Sequence, residues 1–441
     1  MKSLLSLLLC AVLALFCATT AQAAGVSITL TASEYALHYA FDAGAQDPFV
    51  ILEYTTPAEK GWMMLYSADG HFEGDVSLAY SGAGGKTSVA LTSARTTGSI
   101  GKASTTLPKA VDYQKPTGKS NAKVMDFVLT ETPEGFHYAF NAAGTDYMLL
   151  YWRSKEQTVT QPVYPDENGH YEGDVISDLT FARTQFTVQV KSGSGSMKKE
   201  ATVRKGYQAP EAPQRQEGRL SGVTVCIDAG HQENGRFVNE PIGPGLSGST
   251  SGKGGMAQGT KTNRRESIVC LEIGMLLRDE LLRQGANVIM TREDQTTFHT
   301  NIERCEIAEA GGAQIMLRLH CNNSSNHSKR GIQVYGPLNS DYAKAVADAD
   351  TYREMGQKLL DAMKTRVGMT LANSTGMVRL NDNYVGNNWA KMMCFLVEMG
   401  YLSNPAEEYL LVTPVYQQWL AEGMADGVYE IAVARGWVQA Q

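Results

Sequence analysis

Val225-Cys226-Ile227-Asp228-Ala229-Gly230-His231 is a nearly unbroken apolar run that ends in a glycine turn and a histidine. A run without polar alternation predicts a strand buried on both faces, as parallel sheets require. Working outward, residues 266–282 carry apolar side chains at helical spacing and stop at Gly285. Residues 287–291 and 313–319 read as further strands, and 301–310, 342–363 and 415–433 as helices. Strands alternating with helices predict an α/β domain over residues 218–441, with a mainly parallel central sheet flanked by helices.

In such sheets reactive groups gather beyond the carboxyl ends of the strands. His231 and His320 fall at two of those ends, Glu266 opens the first long helix, and Glu398 follows the apolar run Cys394-Phe395-Leu396-Val397. Two imidazoles and one carboxylate form a common catalytic zinc shell, and a further carboxylate nearby suits a general base. HExxH is absent, and a single histidine at a strand end is more often a hydrogen-bonded structural residue. A thiol mechanism is the local rival, since Cys321 adjoins His320 and Cys226 precedes His231. Strand alternation turns Cys321 away from His320 and weighs against it.

The ordered segments resemble the zinc-dependent N-acetylmuramoyl-L-alanine amidases of the Amidase_3 family over roughly residues 220–435. The resemblance rests on the Val225–His231 run, Arg265-Glu266-Ser267-Ile268, Val288-Ile289-Met290-Thr291-Arg292 with Ile302-Glu303-Arg304, Leu317-Arg318-Leu319-His320-Cys321-Asn322, and Val397-Glu398-Met399-Gly400-Tyr401-Leu402-Ser403-Asn404. It implies that His231, Glu266 and His320 hold Zn2+ and that Glu398 is the catalytic acid/base. It also implies peptidoglycan as substrate, cut between the lactyl group of N-acetylmuramic acid and the L-alanine of the stem peptide. Ala229 stands where the family usually has proline, and Arg265 and Cys270 are atypical, but none of the four chemical positions is lost. The alternatives are a zinc peptidase acting within the stem and a non-catalytic wall-binding protein.

The front half repeats itself. Leu37-His38-Tyr39-Ala40-Phe41 recurs as Phe136-His137-Tyr138-Ala139-Phe140, and Gly70-His71-Phe72-Glu73-Gly74-Asp75-Val76 as Gly169-His170-Tyr171-Glu172-Gly173-Asp174-Val175, both offset by 99 positions. That period is too long for a solenoid, so a tandem duplication is expected, with short alternating strands forming two all-β sandwich-like domains at residues 24–112 and 123–206. Duplication alone explains the even spacing of His38, His71, His137 and His170. No acidic neighbour adjoins His38 or His137, so an envelope-binding or spacer role is expected rather than a metal site.

Residues 1–23 read as a signal peptide: a basic start, the apolar stretch 4–16, and Ala21-Gln22-Ala23 for cleavage. Export to the periplasm, envelope or medium follows, with no transmembrane anchor after cleavage. The proline-spaced stretch 207–217 reads as a linker. Against 39 Lys and Arg the chain carries 46 Asp and Glu, a net charge of −7 that excludes a nucleic-acid partner. The mature cysteines, Cys226, Cys270, Cys305, Cys321 and Cys394, are odd in number and expected as buried thiols. The glycine-rich insertion 232–265, tethered between two expected ligands, is expected to border the site as a rim or mobile lid. His299 and His327, in polar loops, are expected in solvent, and Arg379 is a candidate for the substrate's carboxylates.

Overall fold

The computed structural model describes residues 19–440 except 23–24, 79–80, 97, 111–122, 133–134, 144–146, 154–156, 177–184, 193–197, 205–208, 233–237, 251–254, 263 and 368–376. The apolar stretch 4–16 and the junction between the two copies lie outside the described residues. The chain divides into two compact units, residues 1–205 and 206–441.

In the first unit each copy closes a core between two antiparallel sheets. Phe136, Tyr138 and Phe140 alternate inward from Gly135–Asn141 and meet Leu150, Trp152, Val188 and Val190 of the facing sheet. Ile28, Leu30, Leu37 and Phe41 meet Val50, Leu52, Val89 and Leu91 in the same way in the first copy. The repeated motif is explained by this packing. Phe41 stacks on Phe72 at 4.9 Å, and Phe140 on Tyr171 at 4.6 Å. A Cβ added at Gly74 would meet the Tyr39 hydroxyl at 2.7 Å, and one at Gly173 the Tyr138 hydroxyl at 2.6 Å, so a larger residue at either position would force the tyrosine to shift. The two copies are not separate beads. Gln157–Val163 of the second copy pairs antiparallel with Glu59–Tyr66 of the first, making one eight-stranded sheet. Thr19–Gln22, inside the expected signal segment, pairs as an edge strand with Ser27–Ala32.

The second unit is built on a six-stranded mixed sheet. In chain order its strands are β1 (Thr224–Ala229), β2 (Asn287–Met290), β3 (Ile315–Asn322), β4 (Gln333–Gly336), β5 (Met377–Leu380) and β6 (Met393–Tyr401), and they lie in the order β2-β1-β3-β6-β4-β5. Every neighbouring pair is parallel except β4 with β6, which is antiparallel. The helices are α1 (Glu266–Arg283), α2 (Asn301–Ala310), α3 (Asp341–Val346), α4 (Ala349–Val367), α5 (Val385–Trp389), α6 (Pro405–Leu411) and α7 (Pro414–Ala434). Helix α1 is buried almost all round because it lies between the sheet and α7, which also packs on α4.

Two helical expectations change. The single helix expected at 342–363 is broken: Ala347 is extended, and the Asp348 carboxylate accepts from Thr351 N at 2.7 Å, capping a new start. Helix α6 was not anticipated, although Asn404-Pro405 marks its start; the Asn404 side chain accepts from Ala406 N and Glu407 N.

Candidate metal centre

The sheet topology explains why distant residues converge. Strands β1 and β3 are parallel neighbours, so their carboxyl ends deliver His231 and His320 to the same rim. The rings meet edge to face with centroids 4.9 Å apart. Strand β6 lies on the other side of β3, and Glu398 is the register partner of His320. Glu266 enters from the first turn of α1. The donor atoms of His231, Glu266 and His320 all lie within 4.8 Å of one another, the one such grouping among the described residues.

Glu266 is the hub. One oxygen lies 3.1 Å from His231 Nε2 and accepts from Ala257 N; the other lies 2.9 Å from His320 Nδ1 and accepts from Cys321 N. Burial by itself would raise its pKa, but the imidazole hydrogen bonds outweigh burial and hold it well below the usual carboxylate range. Glu398 has the opposite environment. Burial, then the Glu266 charge, pushes it up to about 8, and its Oε2 is a buried atom with no hydrogen-bond partner. Two neighbouring carboxyls whose acidities are driven apart form a pattern typical of acid/base sites. Burial also lowers the pKa of His320, which keeps the ring neutral and able to ligate.

The four residues line an open cavity of about 760 Å³, rimmed by Phe298, His299, Asn322, Asn323, Asn383 and Tyr384. His299, expected in solvent, is therefore half-buried on the cavity wall. His327 is exposed, with Nδ1 2.7 Å from Ser403 O. Arg379 lies on β5 beside Tyr335 of β4 and is exposed.

Beneath the site lies a charge cluster that sequence reasoning passed over. Asp228 is fully buried and takes hydrogen bonds from Thr291, Arg304 and Arg318. Those two guanidiniums outweigh burial and hold its carboxyl far below the usual range. A carboxylate inside β1 and an arginine inside β3, both in otherwise apolar strands, were the available signal, because a buried charge requires a partner.

The insertion after His231 is in part a pinned wall. Glu240 is buried and accepts from Asn301 N, Asn301 Nδ2 and Ile302 N at the start of α2. Pro241 bridges to Ser249, Pro244 O accepts from Asp341 N, and Asn388 Nδ2 and Trp389 Nε1 donate to Ile242 O and Pro241 O. These bonds tie residues 240–244 to α2, α3 and α5. Residues 233–237 and 251–254 of the insertion lie outside the described residues.

The five cysteines are free and buried, and burial raises every thiol pKa. Thiolate chemistry is thereby disfavoured. Cys321 hydrogen-bonds Cys270 of α1 and is buried, although it borders the cavity along with His320.

One expectation about the front half is corrected. His38 and His137 do have acidic neighbours, because strand pairing brings them across the sheet: His38 Nδ1 is 3.1 Å from Asp75 and His137 Nδ1 2.8 Å from Asp174. Glu73 and Glu172 lie 3.3 and 3.1 Å from the other nitrogens. These are exposed cross-strand pairs, and their donors do not converge as those of the triad do.

Residues 225–430 match the model of the Amidase_3 family, described as N-acetylmuramoyl-L-alanine amidase. The germination-specific N-acetylmuramoyl-L-alanine amidase of Bacillus subtilis is 26% identical over 231 residues, 49% of this chain and 83% of that protein. The probable cell wall amidase LytH of Staphylococcus aureus is 27% identical over 218 residues; the match spans 48% of this chain and only 60% of LytH. Among solved structures, an N-acetylmuramoyl-L-alanine amidase from Clostridium difficile 630 aligns with 48% of this chain and 96% of its own, at 23% identity and a TM-score of 0.38. The likeness to the Amidase_3 family is carried by residues 225–430, just under half of the chain.

Proposed function

We propose that this protein is an exported, zinc-dependent N-acetylmuramoyl-L-alanine amidase that releases stem peptides from peptidoglycan. The observation that carries the reading is the convergence of His231, Glu266 and His320 at the carboxyl ends of β1 and β3 with the half-buried Glu398 beside them.

The donor set fits zinc: two nitrogens and a carboxylate close together, plus a second carboxyl left for proton transfer. His231, Glu266 and His320 would hold the ion. When bound, zinc supplies a Lewis acid and brings the pKa of water toward about 7. Burial and the Glu266 charge make Glu398 a weak acid, suited to exchanging a proton near neutral pH. Glu398 then takes a proton from the water that attacks the amide carbon and returns it to the departing alanine nitrogen. Its orphaned Oε2 is free to accept that proton. Cys321 N and Ala257 N hold the Glu266 carboxylate in place, so the ligand does not swing during turnover.

Residues 1–23 serve as the export signal in this reading, and no helix among the described residues is long and apolar enough to cross a membrane. The duplicated β domains dock or space the enzyme on the envelope. Metal analysis of the purified chain tests the proposal: one equivalent of zinc, with chelator-sensitive solubilisation of peptidoglycan, is expected. A chain without zinc, or with activity indifferent to chelator, contradicts it.

A further inference from the structure

Arg292, just past β2, is an unusual buried cation. It is 3% exposed, and among the described residues its guanidinium meets only backbone carbonyls. Nε donates to Ala229 O at 2.8 Å, and Nη2 to Gly230 O at 2.9 Å and to Ser267 O at 2.7 Å. Nη1 donates to Asp294 O at 2.9 Å. The first two carbonyls belong to the turn that presents His231; the third follows Glu266 directly.

That turn needs support. His231 has φ +56°, a left-handed conformation that favours glycine and strains any other residue. A Cβ on Gly230 would meet Leu319 O at 2.4 Å, so the backbone also runs hard against β3 there. One rigid fork therefore ties the strand end bearing the first ligand to the helix turn bearing the second. Gln295 Nε2 adds a second donor to Ser267 O at 3.0 Å.

We propose that Arg292 is a positioning residue, whose guanidinium sets the separation of His231 and Glu266 and thereby the metal affinity of the triad. The inference rests on the reading of the triad as a zinc site. Lysine cannot replace arginine, since a single ammonium does not reproduce the planar fork that reaches both segments.

The test is zinc affinity of the purified full chain, measured by competition with a chromophoric chelator. Arg292→Lys is expected to bind zinc about 10–100-fold more weakly, the usual cost of losing support behind a metal ligand. Arg292→Ala should regain affinity when methylguanidinium is added. Leu359→Ala, in the α4–α7 contact away from the site, should lower the melting temperature and leave zinc affinity unchanged. Should the Arg292 variants not fold, Gln295→Ala decides, with an expected loss of about 3–10-fold. Wild-type affinity in folded Arg292→Lys, wild-type affinity in Gln295→Ala when that variant has to decide, or an equal loss in Leu359→Ala overturns the inference. A wild-type chain that binds no zinc overturns the zinc reading instead.

Discussion

His320 and Glu398 stand as register partners across the parallel pair β3–β6, one serving as a candidate ligand and the other as a half-buried candidate acid. The pairing sets both Cα atoms on central strands of the sheet. Glu398→Gln keeps the shape and removes the proton acceptor. It is expected to lower turnover on peptidoglycan by about 10²–10⁴-fold while zinc content stays at the wild-type level. Zinc stoichiometry and turnover measured on one preparation check both halves.

Glu266→Gln tests the hub. One carboxylate oxygen becomes an NH2 that faces either Ala257 N or Cys321 N, so a backbone donor loses its acceptor. Zinc affinity is expected to fall by at least about tenfold, and the melting temperature of the metal-free chain to fall as well. Calorimetry of the metal-free protein against wild type measures the second effect.

Asp228→Asn leaves Arg304 and Arg318 buried with no carboxylate between them. Breaking a buried ion network in this way costs about 3–5 kcal/mol. Urea unfolding of the variant should show a lower midpoint with a similar slope.

Burial raises both Glu407 and Glu408, each to about 7, despite backbone N–H groups that favour the charged form. Their folded pKa values lie above the unfolded value near 4.5, so the stability linked to them is fully present at low pH and is lost as pH rises through about 7. Glu408→Gln retains an acceptor for Lys261 N and removes one of the two titrations. The difference in stability between pH 5 and pH 8 should shrink by on the order of 2–3 kcal/mol in this variant. Unfolding curves at the two pH values settle it.

Gly173→Ala probes the repeated motif. The new methyl falls 2.6 Å from the Tyr138 hydroxyl, which must shift in a fully packed core. Destabilisation of about 1–3 kcal/mol in the first unit is expected, with no change in zinc binding.

Much of the rear unit was legible because its signals are local. The apolar run to His231 and the helical period from Glu266 show in a window of a dozen residues, and the remaining site residues sit at predictable strand ends. What could not be read was set by long-range pairing. The carboxylates beside His38 and His137 arrive across a sheet, and the joining of the two β copies rests on the pairing of Val159 with Glu59. The break at Ala347 escaped because alanine and aspartate fit either a continuous helix or a cap. Arg292 escaped because its partners are backbone carbonyls, which carry no side-chain signature.

The most direct measurement is mass spectrometry of peptidoglycan digested by the zinc-loaded full chain. Intact stem peptides with a free L-alanine amino terminus are expected, together with glycan strands stripped of peptide, and neither product with Glu398→Gln. Stems cut internally, or undigested peptidoglycan from a chain that holds its zinc, would contradict the amidase reading.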